Sequence, residues 1–246
     1  MKGLSFSEPM VKAWMEGRKT VTRRLMNPQP SLPDDYTEDG QGHRYYAKGT
    51  AFSYSQKRSG PLAGWWFDIP GMSSGPYKPP YLPGETVYIK ETWKVGAWRE
   101  NDNCIAIDYK DYIRKEWIFW GGTFAADAQF VKLWEDSIDD AKKVYGAQEQ
   151  YHWEPGQSPC RWRSPRFMPE CAARSHARIA SVRPERVREI TAEEVIREGI
   201  LGTWDADNKI WKGFYREGFR QLWESIYPGS WGKNDWEWRI ELEKNP

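Results

Sequence analysis

Apolar and polar positions alternate most cleanly near the C-terminal end of the chain. Trp236, Trp238, Ile240 and Leu242 interleave with Glu237, Arg239 and Glu241, the period-two pattern of a strand with one apolar and one polar face. Positions 85–93 follow the same rule after the turn signal Pro83-Gly84, with Val87 and Ile89 on one face and Tyr88 and Lys90 on the other. Further strands are expected at 105–109 and 177–183. A loop entering a strand is expected over 18–25, where Thr20, Thr22 and Arg24 share one face and Val21, Arg23 and Leu25 the other.

Helical spacing appears in four places. Met10, Val11, Trp14 and Met15 form one stripe behind the N-cap Ser7 and Pro9, and Gly17 stands where a left-handed cap belongs. Phe130, Trp134, Ile138, Ala141 and Tyr145 recur at helical intervals up to Gly146. Thr191-Ala192-Glu193-Glu194 reads as a capping box opening a short helix through Val195, Ile196 and Glu198 to Gly199. Tyr215, Phe219, Leu222, Trp223 and Ile226 mark a longer amphipathic helix. Two stretches interrupt this order, at about 27–83, rich in Pro, Gly, Ser and Tyr, and at about 110–157. Strands separated by short helices, without regular βαβ spacing or a Gly-rich phosphate loop, predict one α+β domain over 1–246. Its expected core is a small mixed β-barrel with rim helices and two long insertions.

Composition narrows the class. Lys and Arg number 36 and Asp and Glu 35, a net charge of +1 that argues against a polybasic nucleic-acid coat. A mean hydropathy of −0.85 points toward disorder, but 16 Trp, 13 Tyr and 9 Phe point more strongly to a folded core. No uninterrupted apolar run approaches the ~18 residues of a membrane span, and Met1–Phe6 carries no secretory core, so a cytoplasmic protein is expected. Three cysteines without a CxxC pair fit a reduced compartment. Cys160, Cys171 and His176 are better read as small core thiols and a surface histidine than as metal ligands, and neither a metal nor a cofactor is expected.

Charge is unevenly placed. Positions 127–154 hold seven acids against three lysines, an acidic amphipathic helix read first as a solvated face and otherwise as a protein-partner surface. Positions 160–188 hold Arg161, Arg163, Arg166, Arg174, Arg178, Arg183, Arg186 and Arg188 against only Glu170 and Glu185. Guanidinium groups match phosphates bidentately and stack on bases, so with Trp162, Phe167 and His176 this stretch suits a single strand or nucleotide. The competing reading pairs these arginines with the acidic helix. Trp14, Trp223, Trp236 and Trp238 sit at core positions, whereas Trp65, Trp66, Trp93 and Trp231 are the base-stacking candidates.

Four pieces, in order, carry a resemblance. They are Glu16-Gly17-Arg18-Lys19-Thr20-Val21-Thr22-Arg23-Arg24, Pro83-Gly84-Glu85-Thr86-Val87-Tyr88-Ile89-Lys90-Glu91-Thr92-Trp93, Ile190-Thr191-Ala192-Glu193-Glu194-Val195-Ile196-Arg197-Glu198-Gly199-Ile200, and the final Trp-Glu-Trp strand. Together they resemble the ASCH domain family of PUA-like barrels, in particular its larger phage- and prophage-encoded members. Arg163-Ser164-Pro165-Arg166-Phe167-Met168-Pro169 fits the pattern those proteins carry before their middle strand. The resemblance implies a PUA-like barrel with a cleft for a nucleoside, a modified base or RNA. Some small ASCH members are amidohydrolases acting on N4-acetylcytidine, and others have been proposed as ribonucleases. Carried over by motif, the catalytic set is Lys19, Thr22 and Glu198, with Arg24, Thr20, Glu91, Arg166 and Arg178 as candidate substrate contacts.

Amide hydrolysis in such a cleft needs a nucleophile, a base and an oxyanion donor. Thr22 would attack, Lys19 would take its proton, Glu198 would assist proton transfer or the oxyanion, and Arg24 would hold a phosphate or carbonyl. A lysine at its ordinary pKa of ~10.4 is neutral in about one molecule in a few thousand at pH 7. Burial and Arg24 push it toward the free amine, while a close Glu198 pushes the other way. Two alternatives stand beside catalysis: a non-catalytic module binding RNA or a protein through Arg166, Arg174, Arg178 and nearby aromatics, and an ordinary structural role for all four cleft residues.

Overall fold

The computed structural model describes residues 1–246 except 31–52, 58–63, 70–71, 100–103, 111–115, 120–123, 154–155, 202, 206–209, 213–214 and 245–246. His43 therefore lies outside the described residues. In chain order the elements are β1 (Lys2–Ser5), α1 (Glu8–Met15), β2 (Val21–Leu25), β3 (Ser53–Lys57), β4 (Gly64–Ile69), β5 (Met72–Tyr77), β6 (Thr86–Lys90), β7 (Trp93–Arg99), β8 (Cys104–Tyr109) and β9 (Glu116–Phe119). There follow α2 (Phe124–Tyr145), β10 (His176–Arg186), α3 (Ala192–Arg197), β11 (Thr203–Asp205), β12 (Ile210–Lys212), α4 (Tyr215–Ile226), α5 (Ser230–Lys233) and β13 (Trp236–Lys244).

The fold is mixed α+β. Its main sheet has the order β1-β6-β10-β13-β2, parallel only between β1 and β6. The ladder does not close into a barrel among the described residues, but its two edges converge. Arg24 on edge strand β2 donates to the Ser5 carbonyl at the end of edge strand β1, at 2.9 Å. The apolar core of this sheet gathers α1 (Met10, Val11, Trp14), α4 (Phe219, Trp223) and the Trp236, Trp238, Ile240 and Leu242 row of β13.

A second core lies in the sheet β7-β8-β9, against which α2 packs through Phe130 and Leu133. The run expected as one strand over 85–93 is therefore two strands. It breaks at Glu91 and Thr92, where the chain leaves the main sheet for the second one, so the second layer begins at Trp93 rather than near 110. Within the first interruption, β3-β4-β5 forms a small antiparallel sheet. Among the described residues no helix is long and apolar enough to cross a membrane.

β13 departs most from its sequence pattern. Both of its faces are covered: Glu237 is 0% exposed and Arg239 3%. The polar row reads as a solvated face because charged residues are seldom fully buried. Here it meets charges brought from β2, β10 and α3.

Candidate functional site

Two distant segments meet at Lys19. α1 ends in the left-handed Gly17 (φ 79°), and the amides of Arg18 and Lys19 fold back to the Ala13 carbonyl, which turns the chain toward β2. From the other end of the sequence α3 delivers Glu198 at its C-cap. Thr191 caps this helix by accepting from the Glu194 amide at 3.2 Å, as the capping box predicts. Gly199 then adopts φ 87°, and a Cβ placed there would stand 2.6 Å from the Ala13 Cβ and 3.2 Å from the Lys19 Cβ. Only glycine lets the two helix ends approach this closely.

Lys19 is 2% exposed. Its ammonium donates to the Val21 carbonyl at 2.8 Å, the Glu198 carbonyl at 2.9 Å and Glu198 Oε2 at 2.7 Å, and the Phe6 ring lies 5.1 Å from Nζ. All three N–H groups are engaged, which is the ammonium form. Burial nevertheless pulls its pKa below the ordinary lysine value, against Glu198, which holds the charge in place; Arg24 and Arg23 add to the lowering.

Thr22 is 1% exposed, and its hydroxyl accepts from Arg24 Nη1 at 3.0 Å. No hydrogen bond joins Lys19 to Thr22 among the described residues, so the expected base and nucleophile are neighbours without being coupled. The half-buried Arg24 also donates to the Arg23 and Ser5 carbonyls, at 2.9 Å each. Thr20 accepts from Arg197 Nε at 3.1 Å.

Arg23, on the opposite face of β2, organises the acids. Nη1 reaches Glu198 Oε1 at 3.1 Å, and Nη2 reaches Glu185 at 3.1 Å and Glu194 at 2.8 Å. Nε lies 2.5 Å from Glu237 Oε1, a close ion contact without the alignment of a hydrogen bond. Burial works against the charge of Arg23, but Glu198, Glu237, Glu194 and Glu185 outweigh it and raise its pKa. Burial drives the Glu237 carboxyl well above the ordinary range; Arg23 opposes this, while Glu198 and Glu185 reinforce it. Glu194, whose side chain the capping box would send back to Thr191, instead bridges Arg23 and Arg239. Burial would raise its pKa, but Arg23, with Arg239 and Arg183, holds it below the usual value.

The other sequence candidates lie apart from this cluster. Glu91 is buried in a bidentate pair with Arg174, at 2.9 and 2.7 Å, and the guanidinium stacks 4.2 Å from the Tyr109 ring centroid. The pair lies at the junction of the two sheets. Arg178 is exposed on β10, opposite Glu243 of β13. Arg166 is exposed in the turn Pro165–Phe167. Arg163 binds Asp136 and Asp140 of α2 at 2.8 and 2.9 Å, so part of the arginine stretch does pair with the acidic helix. Trp65 and Trp93, read as stacking candidates because they flank irregular sequence, are core residues of β4 and β7. Glu185, Glu194, Glu237, Arg23 and Arg239 went unassigned. For all but Glu194, which lies in the first turn of α3, the sequence signal was the charge in strands whose other face is apolar.

A groove of about 590 Å³ adjoins the cluster. Ser5 and Phe6, whose carbonyl and ring respectively contact Arg24 and Lys19, form part of one wall, and Ser164, Pro165 and Arg166 form part of another. Chemically the arrangement offers a partly exposed guanidinium at Arg24 beside a buried lysine–glutamate ion pair. Compared with known proteins, the chain matches no protein-family model, no curated protein and no solved structure.

Proposed function

We propose that the chain is an ASCH-type protein with a PUA-like rolled sheet, and that it binds a nucleoside or modified base, free or within RNA, in the groove beside Arg24. The observation that carries this reading is the contact of Lys19 with Glu198, 179 positions apart, directly behind the groove wall held by Arg24. The Arg24 bridge between the two edge strands supports the rolled-sheet reading. A partly exposed guanidinium at the seam suits a carbonyl or phosphate of the ligand.

Recognition fits the present geometry better than turnover does, because the Lys19 donors are saturated and the Thr22 hydroxyl is engaged by Arg24. Hydrolysis of an N4-acylated cytidine is the second reading. It is favoured by the 2.7 Å separation of Lys19 Nζ and Glu198 Oε2 in a buried setting, where transfer of the proton to the carboxylate removes both charges and leaves an amine base.

Calorimetric titration with N4-acetylcytidine, cytidine and a short RNA, alongside chromatographic detection of released cytidine, tests both readings. Binding by the parent chain that is lost in Arg24→Ala supports the groove as the site. Absence of binding by any of these ligands to the parent chain overturns it.

A further inference from the structure

The segment 161–169 divides the groove just described from a second cavity of about 570 Å³ that opens between it and α2. Trp93 and Leu133 line the cavity, and Trp162 and Phe167 stand at its border although they are 45% and 68% exposed. Two large aromatics left open to solvent beside a concavity mark a surface made for a flat apolar group. We infer that this ridge is a stacking platform for unpaired nucleotides of a single-stranded polynucleotide, a binding surface separate from the groove at Arg24.

The ridge is rigid before any ligand arrives. Arg163 and Trp93 exchange backbone hydrogen bonds at 2.8 and 3.2 Å, and Arg163 is clamped to Asp136 and Asp140. Platforms held this way lose little freedom on binding. The Lys94 ammonium lies 5.0 Å from the Trp162 ring centroid, within cation–π range.

The charges suit phosphates. Asp136 and Asp140 direct their short contacts to Arg163. Lys132 donates to Asp136 at 3.5 Å and Arg161 pairs with Asp140 at 3.5 Å, long contacts from largely exposed side chains that water screens. Both cations are positioned to turn toward a backbone running along the rim. Arg166, on the groove side of the ridge, extends the same track. A duplex hides its base faces, so the single strand, with open bases for the rings and phosphates for the exposed cations, is the occupant this surface fits.

Fluorescence anisotropy tests this with a short labelled RNA of mixed sequence, the same sequence as DNA, and the RNA annealed to its complement. The expected result is preferential binding of single strands, weakened by about fivefold or more in Trp162→Ala and in Phe167→Ala. Lys132→Ala should reduce the dependence of affinity on salt. Both aromatic side chains are exposed, so their variants should keep the parent circular dichroism spectrum. Arg24→Ala should retain the effect of Trp162→Ala, which separates failure of the groove reading from failure of this one. Tighter binding of RNA than of DNA assigns the strand, and equal binding supports the shared chemistry. Loss of single-strand preference, or unchanged affinity in both aromatic variants, overturns the proposal.

Discussion

Arg23 and Arg239 stand directly opposite each other in the β2–β13 ladder, two cations in register on one side of the sheet. Such a pair is destabilising on its own. Glu194, from the first turn of α3, lies between them, reaching Arg23 Nη2 and Arg239 Nε at 2.8 Å each. In the adjoining rows Glu237 stands opposite Glu185, and Arg23 contacts both. The alternating rows thus hold α3 on the sheet. Glu198 completes the link by giving one carboxylate oxygen to Arg23 and the other to Lys19.

Replacing Arg23 by Met should therefore be severe. The variant leaves Glu237, Glu198, Glu185 and Glu194 crowded without their common cation, and breaking a buried pair from one side costs about 3–5 kcal/mol. Urea unfolding should show that loss in the midpoint. A cost below about 1 kcal/mol, the range of exposed pairs, would mean that water already screens the cluster.

Glu237→Gln should do the opposite, and its effect should depend on pH. Because burial raises the Glu237 pKa, the folded chain holds that proton more tightly than the unfolded chain. Its stabilising contribution is complete below the unfolded glutamate value of ~4.3 and is lost as pH rises from there through the raised folded value. Glutamine carries no such penalty. The variant should gain on the parent as pH rises through that window, by at most about 1.4 kcal/mol per pH unit, and the difference should be flat below it. Unfolding midpoints across a pH series measure this. A difference that does not change with pH would mean that Glu237 is ionised in the folded protein.

The meeting of Lys19 with Glu198 was expected from the family resemblance, whereas most strands and helices were legible in the sequence itself, because period-two and helical patterns and the turn glycines act locally. The polar row of β13 was not. Alternation reveals that Glu237 and Arg239 share a face, but not that β2 and α3 bring matching charges to cover it. The surroundings of Glu91 were hidden for a related reason. An unbroken strand pattern over 85–93 hides a switch between sheets, and its buried partner Arg174 lies 83 positions away. Trp93 likewise sits beside irregular sequence yet inside the second core.

Gly199→Ala should disturb the site through the backbone. A non-glycine residue in the left-handed region costs about 1–3 kcal/mol, and here the new Cβ also meets Ala13. Gly17→Ala is the matched control, since its φ is similar but nothing lies within 4 Å of its added Cβ. The expected order of stability is parent, then Gly17→Ala, then Gly199→Ala. Equal losses would show that the α1 and α3 ends can separate freely.

Arg174→Met should destabilise by about 3–5 kcal/mol by leaving Glu91 buried opposite an apolar side chain. Changing both, as Glu91→Leu with Arg174→Met, should recover most of that loss, because an apolar pair of similar volume can replace a buried ion pair. A double-mutant cycle read by thermal unfolding gives the coupling. If Glu91 instead contacted ligand, the double variant would fold well and lose binding in the groove.

Thr22→Val separates recognition from turnover more cleanly than any change at Lys19. Removing Lys19 takes away a donor from the Val21 and Glu198 carbonyls and from one oxygen of the Glu198 carboxylate, so a lost activity would be confounded by a loosened fold. Among the described residues Thr22 forms a single side-chain hydrogen bond, accepted from Arg24, which keeps its bonds to the Ser5 and Arg23 carbonyls. Valine suits a strand equally well, so the cost should be about 1 kcal/mol. If Thr22 is the nucleophile, hydrolysis of N4-acetylcytidine should fall to background in the valine variant while the nucleoside still binds within a few-fold of the parent. Turnover persisting without the hydroxyl would exclude threonine as the attacking group. It would leave water, activated by the Lys19–Glu198 pair, or the Lys19 amine itself as the attacking group.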